Sequence, residues 1–124
     1  HQTTPISASA AADGDSTGPA TVNVSSASGQ LVVDSVFVGN ASITVGAGQS
    51  VEDASLELDN WGGTDFSSGA SAEAGAASVT MSWTLGGSAP WNIIASSLQA
   101  PGGAAGRSRL IGGKLAGGIL VRTA

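Results

Sequence analysis

Residues able to do chemistry are few in this chain of 124 residues, which has no Cys, no Tyr and a single His at position 1. Without Cys there is no disulfide framework and no thiolate-held zinc, and a Ser-His-Asp relay would have to be built on His1. An N-terminal His can chelate copper through its α-amine and imidazole, but that arrangement needs a second imidazole, and the chain has none. Glu52, Asp53, Glu57 and Asp59 are close enough in sequence to offer a carboxylate pair. Glycoside hydrolysis uses two acids roughly 5–10 Å apart, one of them kept protonated by its surroundings. Nothing in the local pattern would bury one of these four, so an acidic solvent face is the expectation. Asp13-Gly14-Asp15-Ser16 resembles part of a calcium loop, with Asp59, Asn60 and Asp65 as further oxygen donors. The closing Glu of an EF-hand is missing, and two turn aspartates are the simpler reading. The inventory therefore predicts no catalytic residue, no metal site and no cofactor.

The aromatic residues are the remaining candidates for binding. Trp83 alternates with Val79 and Met81 and is expected in the core, whereas Trp91, after Ala89-Pro90, should be half-buried at a strand start. Trp61, in Asn60-Trp61-Gly62-Gly63, is the loop aromatic, free either to make an adhesive contact or to cover the edge of the core. Together with Phe66 it forms the candidate ligand-contact pair. Asn23-Val24-Ser25 and Asn40-Ala41-Ser42 match the N-glycosylation pattern, which two positions in a Ser-rich chain do readily.

Charge is strongly segregated. All nine Asp and Glu fall between Asp13 and Glu73, and all four Lys and Arg between Arg107 and Arg122, so residues 1–100 carry −9 and residues 101–124 carry +4. An acidic body does not suit phosphate contacts, and a nucleic-acid partner is not expected. No apolar run reaches the ~18–20 residues of a membrane helix, and no signal peptide is visible. The chain does not begin with Met, which reads as a processed or truncated product.

The elements that would position these residues are strands. Val79 to Leu85 alternates strictly, with Val79, Met81, Trp83 and Leu85 on one side and Thr80, Ser82 and Thr84 on the other. Ala20 to Ser25 alternates as well. Leu31 to Val38 is apolar on both faces and predicts a central strand covered on both sides. Ala41 to Val45, Glu52 to Leu58 with Leu56 and Leu58 inward, and Trp91 to Leu98 complete the set. Gly46 to Gln49 reads as a turn and Asp59 to Ser71 as a loop. Short strands separated by Gly/Ser turns predict an all-β fold, an antiparallel β-sandwich or jelly roll. The expected core is Val22, Val24, Val33, Phe37, Ile43, Val79, Met81, Trp83 and Ile93.

Three segments are expected: residues 1–19 extended with no core position except Ile6, residues 20–100 as the body, and residues 101–124 as a Gly-rich linker and an apolar-basic tail. Paired glycines in Leu110-Ile111-Gly112-Gly113-Lys114 and Leu115-Ala116-Gly117-Gly118-Ile119 disfavour a helix, so the tail is expected to be extended. Thirty large apolar side chains against 19 glycines make a small core, which points to an assembly or to completion of the sandwich by another chain or segment.

Gln2 to Ile6, Ala20 to Ser26, Gly29 to Asp34, Gly46 to Gln49, Glu73 to Leu85 and Trp91 to Ala95 together resemble the C-terminal half of a β-sandwich domain found in many uncharacterised bacterial secreted, surface and phage-encoded proteins. The resemblance covers about residues 2–99. It implies the fold and an extracellular, cell-surface or virion setting, it places the start of this chain inside the domain, and it carries over no catalytic residue. The Gly-rich apolar ending is similar to those of some phage structural proteins.

The leading expectation is a non-enzymatic structural subunit of a filament, fibre or virus particle, assembling through β-strand contacts with copies of itself or with other structural proteins. In that reading Arg107, Arg109, Lys114, Ile119, Leu120, Val121 and Arg122 make the inter-subunit contacts, the cations against a neighbour's acidic body and the aliphatic residues as a strand on an open edge. The alternative is a carbohydrate-binding or adhesive module using Trp61 and Phe66, with glycans as partners.

Overall fold

Among the described residues there are eight strands: β1 (Ile6–Ser16), β2 (Ala20–Ser25), β3 (Leu31–Gly39), β4 (Ile43–Val45), β5 (Ser50–Leu58), β6 (Phe66–Ala74), β7 (Ser78–Leu85) and β8 (Ala89–Leu98). They come from a computed structural model that describes residues 4–58 and 66–100, with the backbone alone described for residues 53–58. One sheet has the order β1-β8-β3-β6-β5 and the other β2-β7-β4, and all pairings are antiparallel. The two sheets pack face to face as an open antiparallel β-sandwich.

Alternation explains the small sheet directly. Val22 and Val24 stand opposite Met81 and Val79, and Ala20 and Val45 flank Trp83. These inward residues are buried, apart from Ile43 and Val45 on the short edge strand β4, which are half-buried. From the large sheet, Val32, Val36 and Val38 of β3 and Ala89, Ile93 and Ala95 of β8 complete the core. The turn between β4 and β5 is made by Gly46 to Gln49, where Gly48 has φ +89°, a backbone region open to Gly at little cost.

Four expectations are corrected. Val33 is half-buried and Phe37 is 37% exposed, because the inward set of β3 is Val32, Asp34, Val36 and Val38. With apolar residues on both faces, period-two alternation could not choose between them; the choice rests on Asp34, whose carboxylate is buried among hydrogen-bond donors. β3 is central in its sheet, yet the described residues cover only one of its faces. Phe66 to Ser71, expected in a loop, belongs to β6, which lies between β3 and β5. Its Ser/Gly/Ala composition concealed it, since a strand paired on both sides can be held by backbone bonds without large side chains. Residues 6–16 form β1, in which Ala8, Ala10 and Ala12 pack against the core while Ile6 is 51% exposed. Small inward side chains are what the sandwich accepts at that edge.

Candidate interaction surfaces

Asp34 organises the polar interior. It is 6% exposed, and its Oδ1 accepts hydrogen bonds from the Ser71 backbone N–H (2.8 Å) and Ser71 Oγ (2.7 Å), while Oδ2 accepts from Trp83 Nε1 (2.9 Å). Gln49 extends the network across the sandwich: its Nε2 donates to Ser71 Oγ (2.6 Å), and its Oε1 accepts from the Ser82 backbone N–H (2.8 Å). A buried carboxylate is tolerable only when its oxygens are satisfied in this way. The network ties β3 and β6 of one sheet to β7 of the other and fixes the Trp83 indole between them. Gly69 makes room for that ring, since a Cβ there would lie 2.6 Å from Trp83 Cη2. Sequence reasoning placed Trp83 correctly and missed Asp34; the only signal was a lone acid at an alternating position of an apolar strand.

A second polar cluster lines an open cleft of about 160 Å³ bordered by Ser7, Ala8, Ser25, Ser26, Ala27 and Gln30. Gln30 Oε1 is approached by Ser7 Oγ (3.1 Å), Ser26 Oγ (3.1 Å) and Ser97 Oγ (2.7 Å), and Ser26 and Ser97 hydroxyls lie 2.7 Å apart. These hydroxyls bond to an amide oxygen, to each other and, from Ser7, to the Ser97 backbone carbonyl (3.3 Å), with no imidazole or carboxylate among these partners. Activating a serine as a nucleophile requires an adjacent base, so the cluster reads as a tie between the β2–β3 turn and the ends of β1 and β8.

The outer face of the five-stranded sheet is unexpectedly apolar. Directly opposed residues of antiparallel strands share a face, so the pairs Ile6↔Leu98, Leu31↔Leu98, Val33↔Ser96, Ser35↔Ile94 and Phe37↔Asn92 define it. Ile94 is 56% exposed, Ile6 51% and Leu31 45%. Phe37 stacks on Phe66 in a tilted arrangement with ring centroids 5.2 Å apart. Asp13 and Asp15 stand exposed at the β1 corner of the same face, opposite Asn92 and Pro90. They lie in a strand, which corrects their reading as turn residues.

The two edges of this sheet differ. β5 pairs with β6 through two register irregularities and carries Glu52, Asp53 and Glu57. β1 runs eleven residues with no charge before Asp13 and one irregularity near its start. Trp91, half-buried as expected, packs so close to Gly14 that a Cβ there would lie 2.7 Å from Cζ2, and its buried Nε1 has no hydrogen-bond partner.

Of the candidate ligand contacts, Phe66 is placed beside Phe37, and Trp61 lies outside the described residues. So do His1, Asp59, Asn60, Asp65 and the whole tail with Arg107, Arg109, Lys114, Ile119, Leu120, Val121 and Arg122; for Asp53, Leu56, Glu57 and Leu58 the side chains do. Among the described residues no group of three or more His, Asp or Glu converges as metal ligands, and no helix is long and apolar enough to cross a membrane. Compared with known proteins, the chain matches no family model, no curated protein and no solved structure.

Proposed function

We propose that the protein is a non-enzymatic structural subunit of an extracellular or virion surface assembly, joined to copies of itself through β-strand contacts. The observation that carries this reading is the β1 edge. Exposed strand edges present unpaired N–H and C=O groups that recruit further strands unless charge, proline or bulges block them. Over Ala8 to Ala12, beyond the irregularity between Ile6 and Ala8, the edge has neither charge nor proline, and its side chains are Ser and Ala, small enough for a second backbone to approach. The acidic, twice-irregular β5 edge has the features that discourage such pairing. The extracellular or virion setting is supported by the sequence resemblance over residues 2–99.

Light scattering of the full chain over a dilution series tests the reading. An oligomer that dissociates on dilution is expected, together with loss of the oligomer in Ala11→Lys and Ala11→Glu, both of which place a charge on the β1 edge at an exposed position. A chain that stays monomeric at every concentration, or variants that assemble as the parent does, would overturn it.

A glycan-binding surface module is the second reading, and the exposed Phe37 ring, packed against the half-buried Phe66, favours it, since sugar rings stack on exposed aromatic faces. Retention on immobilised polysaccharide that is lost in Phe37→Ser would support this alternative. Equal retention of the parent and the variant would remove it.

A further inference from the structure

We infer that the outer apolar face of the five-stranded sheet is the docking surface for this chain's own residues 107–123. The inference does not require strand pairing at the β1 edge, although Ile6, Asp13 and Asp15 of β1 contribute to the face. A soluble sandwich rarely leaves Ile6, Leu31, Phe37 and Ile94 exposed together on one face unless something covers them.

Three observations identify the occupant. The first is the exit point: β8 ends at Leu98, which stands on this face between Ile6 and Leu31, so the chain leaves the body at the border of the apolar surface. The second is reach. Residues 101–106 span up to about 20 Å when extended, and the face from Leu98 back to Asn92 is also about 20 Å long at the strand rise per residue. Residues 107–123 can therefore cross the whole face. The third is complementarity. The tail supplies Leu110, Ile111, Leu115, Ile119, Leu120 and Val121 for the apolar surface, and it holds every Lys and Arg of the chain. Residues 1–100 contain no Lys or Arg to meet Asp13 and Asp15 at the far corner of the face. A tethered segment of this length samples the surface at millimolar effective concentration, which favours the chain's own tail over that of a neighbour.

The absence of Cys makes the test direct. Two double variants of the full chain are compared under mild oxidation at low concentration: Ser35→Cys with Ala116→Cys, and Thr84→Cys with Ala116→Cys. Ser35 is exposed at the centre of the outer face, between Ile94 and Ala70, and Thr84 is also exposed, on the outside of the other sheet. An intramolecular disulfide forming roughly tenfold faster from Ser35 than from Thr84, in keeping with a higher local concentration, is expected. That preference should disappear when Ile94→Asp is added. Equal rates at the two positions overturn the proposal, and so does a product that is mainly an intermolecular dimer, since the face would then be filled from a neighbouring copy.

Discussion

On β3, Asp34 points into the sandwich while Leu31 and Phe37 point away from it, so the face of the large sheet that is buried contains a carboxylate and the face that is exposed is studded with apolar side chains. The inner face tolerates the carboxylate because three donors, two from Ser71 and one from Trp83, engage both of its oxygens. The outer face carries apolar groups without any such partner among the described residues. Hydrophobicity alone therefore does not rank the two faces of a strand; satisfaction of the one buried polar group does.

The largest expected effect separates the faces directly. Asp34→Ala strands the Trp83 indole N–H and the Ser71 N–H in the interior, and at about 1–3 kcal/mol for each unsatisfied donor the loss should be on the order of 3–5 kcal/mol in equilibrium denaturation. Ser35→Ala, one residue along and outward, should change stability by less than about 0.5 kcal/mol. Similar losses for the two variants would remove the distinction between the faces.

Gly69→Ala comes next. The added methyl meets the edge of Trp83, and overpacking of this kind costs about 1–3 kcal/mol. Thermal unfolding should show it, accompanied by altered indole fluorescence as the ring shifts. If the variant is as stable as the parent, Trp83 is not held as tightly as its hydrogen bond to Asp34 implies.

Val36→Ala and Val33→Ala form a smaller paired test on the same strand. Removing two methyl groups from the fully buried Val36 should cost about 2 kcal/mol, and from the half-buried outward Val33 about 1 kcal/mol or less. A cost at Val33 matching that at Val36 would mean that the outer face is buried as deeply as the core. Ala11→Lys should change stability as little as Ser35→Ala, within about 0.5 kcal/mol, even though assembly should be lost. Circular dichroism of the separated monomer would check that its strands persist.

Much of the architecture was legible in the sequence. The alternation Val79, Met81, Trp83, Leu85 predicted both β7 and its buried face, because one face carried all the large apolar groups and the other only Thr and Ser. The expectation for Ala20 to Ser25 held for the same reason, whereas Trp91 to Leu98 was legible as a strand although Ile94 and Leu98 place apolar groups on its outward face as well. β6 was illegible because its Ser, Gly and Ala residues lack a hydrophobic period, and it is positioned by pairing with β3 and β5 on either side. Of the candidate ligand contacts, Phe66 could be named from its type, but its stacking on Phe37 follows from the β3–β6 register alone.

What the sequence by itself determined is the class of protein: an all-β chain poor in chemically reactive side chains, with a −9 body and a +4 tail. These follow from residue types and from period-two spacing, which are local properties. What only the tertiary structure decided is which face of β3 is inside, which strands stand at the edges of the described sheet, and where the exposed apolar groups gather. Those depend on pairings as distant as Asp34 with Trp83 and Ile6 with Leu98. No local pattern encodes such pairings, because the free energy of a buried carboxylate or an open edge is set by whatever the rest of the chain brings beside it.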